Sequence, residues 1–544
     1  MKKFCISIFA FWCTLISSGQ APLQKEVNSR LKNLPFNSFS VTVPVFPEQT
    51  FNIKDEGAIG DGLFKNTEII NETIRKCADA GGGTVTIPAG LWLTGPITMK
   101  SHVNLHLEEG ALVSFSSDLD DYKLIKSGTK YNIPSLINGE KLVDVAITGD
   151  GIFNGTGEAW RPVKKEKMSE GAWKKLLKSG GSLTANGKIW YPREGAVAAE
   201  DFLKTKKSFE MTYEDYQKAK PYFRPYMLNL EDSKNVLIQG ITLQNSPKFC
   251  MILRDIDGLV VKDVKALNDW WAQNGDGLDL SGCKHVLMYN CTVNTGDDGI
   301  CLKSSGRGKN EFRLENIVIQ DCKVFHAHGG FVIGSNTDGK MRNIYVNNCS
   351  FSWTDTGLRF KSGAGRGGRV ENIFVDGIYM KGIEHEAIIF DLTYEDSGAV
   401  KMKDSSVSNS KLPDFDGFSF KNIFVEGAET ACRMDGFPLC HVKNVTFENM
   451  VIRSEKGFLV SCGENISLDD VLVKTKKKPS YALKDTRNFI FKNMNAPEPG
   501  DPIIIEGKGT GRIEFVNSLI TKENIRLEDG LSSTILFFIQ EGQK

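Results

Sequence analysis

The chain has 544 residues, and its 67 Lys and Arg residues are balanced by 67 Asp and Glu residues. This balance excludes a global charge that would attract nucleic acid or an anionic membrane surface, so any electrostatic selectivity must be local. Hydrophobic residues make up 40% of the chain and charged residues 25%, which is the composition of a globular protein rather than a disordered or membrane-embedded one.

Residues 1–20 have the pattern of an export signal. Lys2 and Lys3 form a positive start, residues 4–16 are apolar, and the small residues 17–19 predict cleavage near Gln20. The apolar run is shorter than the ~20 residues that a membrane-spanning helix needs. We therefore expect an exported protein, periplasmic or secreted, without a membrane anchor.

Three segments frame the rest of the chain. Residues 21–50 form an N-terminal extension, and residues 51–544 form the main domain. Within that domain, residues 66–80 carry Ile69, Ile70, Ile74 and Cys77 at helical spacing before three glycines, which predicts a helix that caps one end of the domain. Residues 155–226 have no repeat and include helical patterns at 170–179 and 213–220, so we interpret them as a long insertion beside a functional surface.

A short motif recurs along the chain: a charged residue, Asn, and then alternating apolar residues. Its asparagines are Asn316, Asn343, Asn372, Asn422, Asn444, Asn465 and Asn488. Successive members are separated by similar intervals, apart from the gap between Asn372 and Asn422, which is about twice as long. We interpret this gap as two coils, the second interrupted by a polar loop around residues 404–412.

The recurrence of this motif predicts the fold. Alternation of apolar residues predicts strands, and their return at a nearly constant interval predicts one set of strands per coil. Convincing helical segments between the copies are missing, which argues against alternating strands and helices. The predicted fold is all-β: a right-handed parallel β-helix, or solenoid.

The repeat also gives roles to its Asn and Cys residues. The Asn side chains are expected to stack along the coil axis and to satisfy turn backbone groups. Cys291, Cys322 and Cys349 occupy equivalent places, which predicts a stack of small side chains in the core. Cys432 and Cys440 are close enough in sequence to pair. No CxxC pair or His/Cys cluster has metal-ligand spacing, so we expect no metal and no cofactor.

Charged residues in the middle of the chain follow the coil period. Asp276 and Asp297 are separated by one coil of sequence, and Asp298 follows directly. His328 lies one somewhat longer interval beyond Asp297. Arg359 and Lys361 lie a similar interval beyond His328. This spacing predicts that all six side chains lie on consecutive coils along one face.

Such a face suits glycoside hydrolysis of an acidic polymer. Three neighbouring carboxylates repel one another, so the pKa of one should rise and leave it protonated, and this chemistry needs one acid and one base. The cationic residues suit a substrate with carboxylates. They are His328, Arg359 and Lys361, extended by Lys303, Arg307 and Arg366. Trp270 and Trp271 precede the first aspartate and either stack on sugar rings or pack in the core.

These motifs resemble those of glycoside hydrolase family 28, the polygalacturonase family. Asn274-Gly-Asp276-Gly is similar to the family's Asn-Thr-Asp-Gly, and Gly296-Asp-Asp298 to its Gly-Asp-Asp. His328-Gly and Arg359-Phe-Lys361 are similar to its His-Gly and Arg-Ile-Lys. Residues 57–62, 81–90 and 120–122 extend the resemblance toward the N-terminus. Gly275 departs from the family's usual Thr.

The resemblance implies roles for these residues in cleavage with inversion. Asp297 would be the general acid, and Asp276 and Asp298 would activate the water. His328 would support the ionisation or orientation of the acid. Arg359 and Lys361 would hold a galacturonate carboxylate, and the further substrate-binding candidates are Tyr394, Asn274 and Lys303. For Tyr394, an exposed structural tyrosine is the alternative.

The predicted function is hydrolysis of the α-1,4-galacturonosidic bonds of pectin by a monomer that binds acidic plant polysaccharide. The insertion at 155–226 favours exo action, since it can wall off one end of a groove. Within the same chemistry, a rhamnogalacturonan hydrolase is the alternative. Of other classes, a pectate lyase would release an unsaturated product, and a non-catalytic carbohydrate-binding solenoid would have no need of three clustered aspartates.

Overall fold

The computed structural model describes residues 20–306, 311–394 and 412–540. The predicted export signal, apart from its last residue, lies outside these ranges, as does most of the predicted polar loop at 404–412. The described chain winds into a right-handed parallel β-helix, as predicted, in which strands of successive coils pair in parallel. Alternate side chains of each strand point inward, which is why the strands read as alternating apolar and polar residues.

Three parallel sheets form the walls of the helix, and we call them sheets 1, 2 and 3. The short strands of sheet 1 are Thr50–Asn52, Gly83–Ile87, Val103–Leu107, Val143–Gly149, Lys234–Gln239, Asp257–Lys262, Lys284–Tyr289, Leu314–Gln320, Arg487–Lys492, Ile513–Val516 and Leu536–Ile539. Those of sheet 2 are Asp61–Lys65, Gly90–Thr94, Ala111–Phe115, Ile152–Asn154, Thr242–Gln244, Lys265–Leu267, Thr292–Asn294 and Lys323–Phe325. Those of sheet 3 are Ile97–Thr98, Ile137–Glu140, Leu228–Glu231, Met251–Arg254, Leu278–Ser281, Asp298–Lys303, Gly329–Ile333, Thr356–Lys361, Lys456–Ser461, Tyr481–Lys484, Ile503–Glu506 and Ile525–Leu527.

Long strands in the C-terminal half bend from one sheet into the next. Met341–Ser352, Val442–Ser454 and Gly463–Thr475 run through sheets 1 and 2. Arg369–Asp391 and Asp414–Asp435 run through all three sheets, and they pair directly with each other. Sheet 3 carries every residue of the predicted site that lies on a strand.

The core is a continuous column of apolar side chains inside the coils. Phe360 and Phe390 stack on neighbouring coils with ring centroids 4.7 Å apart, and many Val, Ile and Leu side chains are fully buried around them. Cys291, Cys322 and Cys349 are buried on successive coils, which confirms the predicted stack.

Cys432 and Cys440, which are close enough in sequence to pair, do not form a disulfide, and all ten cysteines of the described residues are free thiols. Cys432 is a core residue of sheet 3, in register with Ile388 and Phe458 of the adjoining coils. Cys440 lies in the following turn, where its backbone bridges to Phe437. The backbone geometry of strand and turn therefore separates two thiols that are close in sequence.

Asparagines line the turns in stacks, as the repeat predicts. The side chain of Asn343 donates to Asn316 over 3.0 Å and accepts from Asn372 over 3.2 Å. All three residues have left-handed backbone, with φ between 56° and 60°. Asn tolerates this conformation better than most residues, so one residue type satisfies both the backbone bend and the stack.

The predicted assignment of Asn422 to the same stack as Asn372 is wrong. Asn422 donates to the Asp376 carboxylate over 2.7 Å, and its coil-to-coil neighbour is Gly377. The residue in register with Asn372 is Gly417. Asn422 therefore belongs to a second stack, five residues further along the coil, and residues 372–422 do not span two coils.

We expect Asn343→Ala to lower the free energy of unfolding by about 2 kcal/mol. Alanine loses both hydrogen bonds of the stack and resists left-handed backbone, which costs ~1–2 kcal/mol. Asn343→Gly is the matched variant: it loses the same hydrogen bonds but accepts the backbone, so its loss should be about 1 kcal/mol. Urea unfolding of both variants checks this, and equal losses would contradict a contribution from the backbone bend.

Two helices cover the ends and outer wall of the β-helix. The predicted cap is present as Thr67–Asp79, which buries Ile70, Ile74 and Cys77 against the first coils. Gln20–Arg30 and the chain that follows it lie on the outer face of sheet 1. There Val27 and Leu31 pack on a row of outward-facing apolar residues, so part of sheet 1 is covered on both faces.

The segment 155–226 leaves the coil and folds against the edge of sheet 3. Its helices are Glu170–Leu177, Ala196–Thr205 and Tyr213–Ala219, of which only the second lacks a counterpart in the predicted helical patterns. A small antiparallel sheet joins Val163–Lys164, Ser182–Leu183 and Ile189–Tyr191. The hairpin Ile125–Ser127 with Lys130–Asn132 lies earlier in the chain. Short 3-10 turns complete the structure: Leu119–Asp121, Gly157–Ala159, Lys165–Lys167, Ser208–Glu210, Lys220–Tyr222, Lys522–Asn524 and Ser533–Ile535.

In the described part of the chain, no helix combines the length and the apolar composition that crossing a bilayer requires.

Candidate active site

Three aspartates meet at the N-terminal edge of sheet 3. Asp276 precedes the strand Leu278–Ser281, and Asp298 begins the next strand of the sheet. One carboxylate oxygen from each of Asp276, Asp297 and Asp298 lies within 4.8 Å of the others. Leu278 pairs with Ile300 in the adjoining coil. Two residues earlier in each coil, Asp276 is therefore level with Asp298 and not with Asp297. The predicted cluster is therefore assembled, with an offset of one residue from the predicted alignment.

Asp276 shares a buried cation with a fourth carboxylate, Asp279. The Lys303 ammonium group donates to Asp276 over 3.1 Å and to Asp279 at close range. Burial and the charge of Asp279 raise the pKa of Asp276 well above its usual range. Burial also raises the pKa of Asp279 to about 6, although Lys303 opposes this shift. Asp276 is thus the member of the cluster that environment favours in the protonated form.

Asp298 has the opposite environment. Lys361 donates to its carboxylate over 2.7 Å, and a guanidinium nitrogen of Arg359 lies 3.6 Å away. Burial acts to raise the pKa of Asp298, but the charges of Lys361 and Arg359 lower it to about 2. The contribution of this ion pair to stability is present above the unfolded pKa of ~3.9 and is lost as the pH falls toward 2.

A cationic corner lies on the side of Asp298. Arg359 and Lys361 both face the ring of Tyr394, at 5.3 and 4.9 Å from its centroid. The Lys361 side chain is almost fully buried, whereas that of Arg359 is 20% exposed. Arg366 donates to the Ser335 hydroxyl over 2.9 Å, and Arg307 lies outside the described residues. The corner places the predicted substrate-binding residues Arg359, Lys361 and Tyr394 together.

On the other side of the cluster, Asp297 contacts a histidine that lies between two carboxylates. Nδ1 of His328 lies 3.1 Å from the Asp297 carboxylate, and Nε2 lies 3.7 Å from that of Asp355. These three residues are in register on consecutive coils. The hydrogen bond to Asp297 raises the pKa of His328 above its usual value, against burial, and the charge of Asp355 adds to the rise. The imidazolium form of His328 is thereby favoured next to Asp297.

We expect Asp355→Asn to lower the pKa of His328 and to leave its bond with Asp297 in place. The raised pKa keeps the imidazolium charged to higher pH, so removing one negative neighbour should make it lose its proton at lower pH. An NMR titration of the His328 ring and the alkaline limb of the pH profile of kcat/KM measure this shift. Glu371→Gln, on the far sheet, is the control, and an unchanged titration in Asp355→Asn would contradict the coupling.

Asn274 is held in place from the insertion. Its side-chain oxygen accepts from Arg224 over 2.8 Å, and its backbone N–H donates to Asp297 over 3.1 Å. Arg224 also donates to the backbone oxygen of Gln273 over 2.9 Å. The insertion therefore fixes the turn that orients Asp297.

The sequence departure at Gly275 has a structural cause. A Cβ atom at this position would lie 2.9 Å from the Ala272 side chain and 2.9 Å from the Asn268 amide. The hydroxyl of Thr295 also donates to the backbone oxygen of Gly275. A threonine cannot fit into this turn without displacing its neighbours, so glycine here is a packing requirement.

Trp270 and Trp271 have different environments. Trp271 packs on the small core of the insertion, formed by Val163, Trp173 and Trp190. Trp270 is 52% exposed and lies in the groove, where the Lys167 ammonium group is 5.3 Å from its ring. Of the two uses weighed from sequence, core packing thus applies to Trp271.

The geometry supports activation of a water molecule. Three oxygens no more than 4.8 Å apart have a central point at most about 2.8 Å from each, which is within hydrogen-bond distance of a water placed there. One neighbouring carboxylate is held ionised by Lys361, and another is favoured in its protonated form by burial. Glycoside hydrolysis needs a base for such a water and an acid for the leaving oxygen, and the ionised Asp298 can supply the base.

Sequence reasoning missed Arg224, Asp279 and Asp355. Asp355 lies one coil after His328, so the period that located His328 was a usable signal. Asp279 follows Asp276 by three residues, but its burial is visible only in the structure. For Arg224 no such signal exists, because it belongs to the insertion without a repeat.

A family model described as "Glycosyl hydrolases family 28" matches residues 179–414. The chain is 24% identical to a probable polygalacturonase of Vitis vinifera over 421 residues, 74% of each chain. It is 26% identical to an exo-poly-alpha-D-galacturonosidase of Dickeya chrysanthemi over 421 residues, 74% of this chain and 66% of that protein.

Two solved structures share the fold. The exopolygalacturonase of Thermotoga maritima has 25% identity and a TM-score of 0.67, covering 85% of this chain and 97% of that one. The family 28 exopolygalacturonase of Yersinia enterocolitica has 22% identity and a TM-score of 0.64, covering 81% and 78%.

The fold and the carboxylate cluster define a glycoside hydrolase. Over residues 179–414 the chain is similar to glycoside hydrolase family 28, as its motifs indicate.

Proposed function

We propose that the protein is an exo-acting hydrolase of galacturonan that releases galacturonate from chain ends. One observation carries this proposal: the carboxylate cluster adjoins the cationic corner. Asp298 belongs to the cluster and contacts both Lys361 and Arg359 of the corner. A sugar whose carboxylate lies at the corner has its glycosidic bond within reach of the cluster. The names of the relatives from Dickeya and Thermotoga support the same substrate.

Asp297 is the proposed acid, and Asp276 and Asp298 are the proposed pair that holds the water. His328 and the backbone N–H of Asn274 both contact the Asp297 carboxylate and orient it. Inversion requires the water to attack the sugar from the side opposite the leaving oxygen. The anomer released first, observed by NMR, tests this.

Exo action is supported by the position of the insertion. Arg224 ties it to the turn at Asn274, and Glu166 and Lys167 line the groove beside His328. A polymer that passed through the groove on this side would meet these residues. A chain end whose terminal ring occupies the pocket on this side is therefore favoured over a continuous chain.

The test is incubation of the purified protein with polygalacturonate, followed by separation of the products by size. Release of galacturonate monomer from the start supports exo action, and mixed oligomers would contradict it. Absence of any cleavage would overturn galacturonan as the substrate, and rhamnogalacturonan is then the next substrate to assay. An unsaturated product that absorbs ultraviolet light would indicate a lyase, and binding without cleavage a non-catalytic solenoid.

Export and a monomeric state are also part of the proposal. The basic and apolar pattern of residues 1–20 supports removal of this segment during export. N-terminal sequencing of the mature protein tests the cleavage near Gln20, and sedimentation of the purified protein tests the monomer.

A further inference from the structure

A second pocket opens beside His328, on the side away from the cationic corner. It encloses about 470 Å³ between the turns that precede sheet 3 and the insertion. Its walls include Trp270, Trp353, Asp355 and Glu384, with Glu166 from the insertion. Because His328 belongs to this wall and also contacts Asp297, the pocket adjoins the cleavage point.

Two tryptophans in this pocket present their rings to solvent. Trp270 is 52% exposed and Trp353 is 53% exposed, although the apolar surface of a tryptophan favours burial. The rings of His326 and Trp353 are stacked, with centroids 6.1 Å apart and ring planes at 20° to each other. The Lys167 ammonium group lies over the ring of Trp270. Supported, exposed aromatic rings bind the apolar faces of sugar rings.

The charged groups of the pocket differ from those of the cationic corner. Asp355, Glu384 and Glu166 supply three carboxylates, which outnumber the two cations among the described residues of the lining, Lys167 and the His328 imidazolium. Carboxylates accept hydrogen bonds from sugar hydroxyls but repel a uronate carboxylate. A ring bound here is therefore favoured when it carries no charge.

We propose that this pocket is a subsite for an uncharged pyranose ring of the substrate. Two sources share this chemistry: a galacturonate residue whose carboxylate is methyl-esterified, and a neutral sugar such as rhamnose within the pectin chain. The inference rests on the proposed function, because it assumes that the adjoining cluster cleaves a galacturonate chain. It adds that one side of the cleavage point selects a carboxylate and the other side selects an uncharged ring.

The experiment measures kcat/KM on three sets of oligosaccharides: unesterified galacturonate, singly methyl-esterified galacturonate resolved by mass spectrometry, and alternating galacturonate and rhamnose. The wild type should cleave at least one uncharged-ring substrate about tenfold faster than the unesterified one. Trp353→Ala should lower cleavage of the uncharged-ring substrate about tenfold more than cleavage of the unesterified one, and so abolish this preference. Trp353→Phe keeps an aromatic face and should retain part of the preference. Glu384→Lys should shift the preference toward the unesterified substrate.

The outcomes separate the two proposals. No cleavage of any substrate would overturn the proposed function. Cleavage at equal rates on all three sets, with no effect of the Trp353 or Glu384 variants, would overturn the subsite while the function stands. Preference for the ester or for the rhamnose-containing chain identifies the source of the uncharged ring. If Trp353→Ala does not fold, Trp353→Phe and Glu384→Lys decide the question.

Discussion

The Asp297→Asn variant is expected to lose about 10³-fold in kcat on galacturonan. Asparagine has the same shape and still accepts from the backbone N–H of Asn274, so the turn and substrate binding should persist. What it lacks is a proton to donate to the leaving oxygen. KM should therefore change little while kcat falls, because the interaction lost is made only in the transition state. Steady-state assays of released reducing ends measure both constants.

The matched control is Asp257→Asn, which changes an exposed carboxylate on sheet 1 that pairs with His285. Its activity should equal that of the wild type. Residual activity of Asp297→Asn within tenfold of the wild type would assign the acid to another carboxyl group. Asp276 would then be the first candidate, since burial already raises its pKa.

The second large effect is on stability. We expect Lys303→Met to lower the free energy of unfolding by about 3 kcal/mol, because breaking a buried ion pair leaves a charge without compensation. Lys303 is the cation that contacts Asp276 and Asp279, and the Asp279 side chain is fully buried. Methionine keeps most of the length and volume of lysine, so the change isolates the charge.

The loss should depend on pH in a defined direction. Burial raises the pKa of Asp279 to about 6 in the folded protein, above the unfolded value of ~3.9. A folded carboxyl group that binds its proton more tightly stabilises the fold as the pH falls. Urea unfolding should therefore show a larger loss above the pKa of Asp279 than below it.

Two further variants serve as a rescue and a control for the Lys303→Met result. Adding Asp279→Asn to Lys303→Met should restore most of the stability, since the uncompensated charge is removed. Lys284→Met breaks a partly exposed ion pair with Glu315 and should cost less than ~1 kcal/mol. A Lys303→Met protein as stable as the wild type at every pH would contradict the role of Lys303 as a structural cation.

The coil period accounts for what the sequence could predict. It predicts the solenoid and the face on which Asp276, Asp297 and His328 meet, because neighbours in adjoining coils of a β-helix are separated by one coil of sequence. The capping helix is predicted separately, from helical spacing. It also placed Arg359 and Lys361 together. Intervals along the chain thus translate directly into contacts.

Where the coil period is ambiguous or absent, the sequence does not predict the contacts correctly. Asn422 is assigned to the wrong stack because the coils have two stacking positions five residues apart, and in this coil the first of them is Gly417. The contact of Arg224 with Asn274 comes from an insertion that follows no period. The role of Lys303 depends on the burial of Asp279, which is set by three-dimensional packing. Substrate binding by Lys303 stays a prediction, whereas the contacts of its ammonium group with two carboxylates come from the structure alone.

The pairing of strands in adjoining coils sets the distances between the site residues. The number of residues in a coil can therefore change without altering these distances. Leu278 and Ile300 are neighbours across one short coil, whereas Glu371 and Asp416 are neighbours across a stretch of chain roughly twice as long. Insertions in the turns can therefore diversify the walls around the substrate while the reacting groups keep their mutual distances. Loss of one whole coil between Asp276 and Lys361 would have the opposite effect and would bring together residues that never met in the ancestral enzyme.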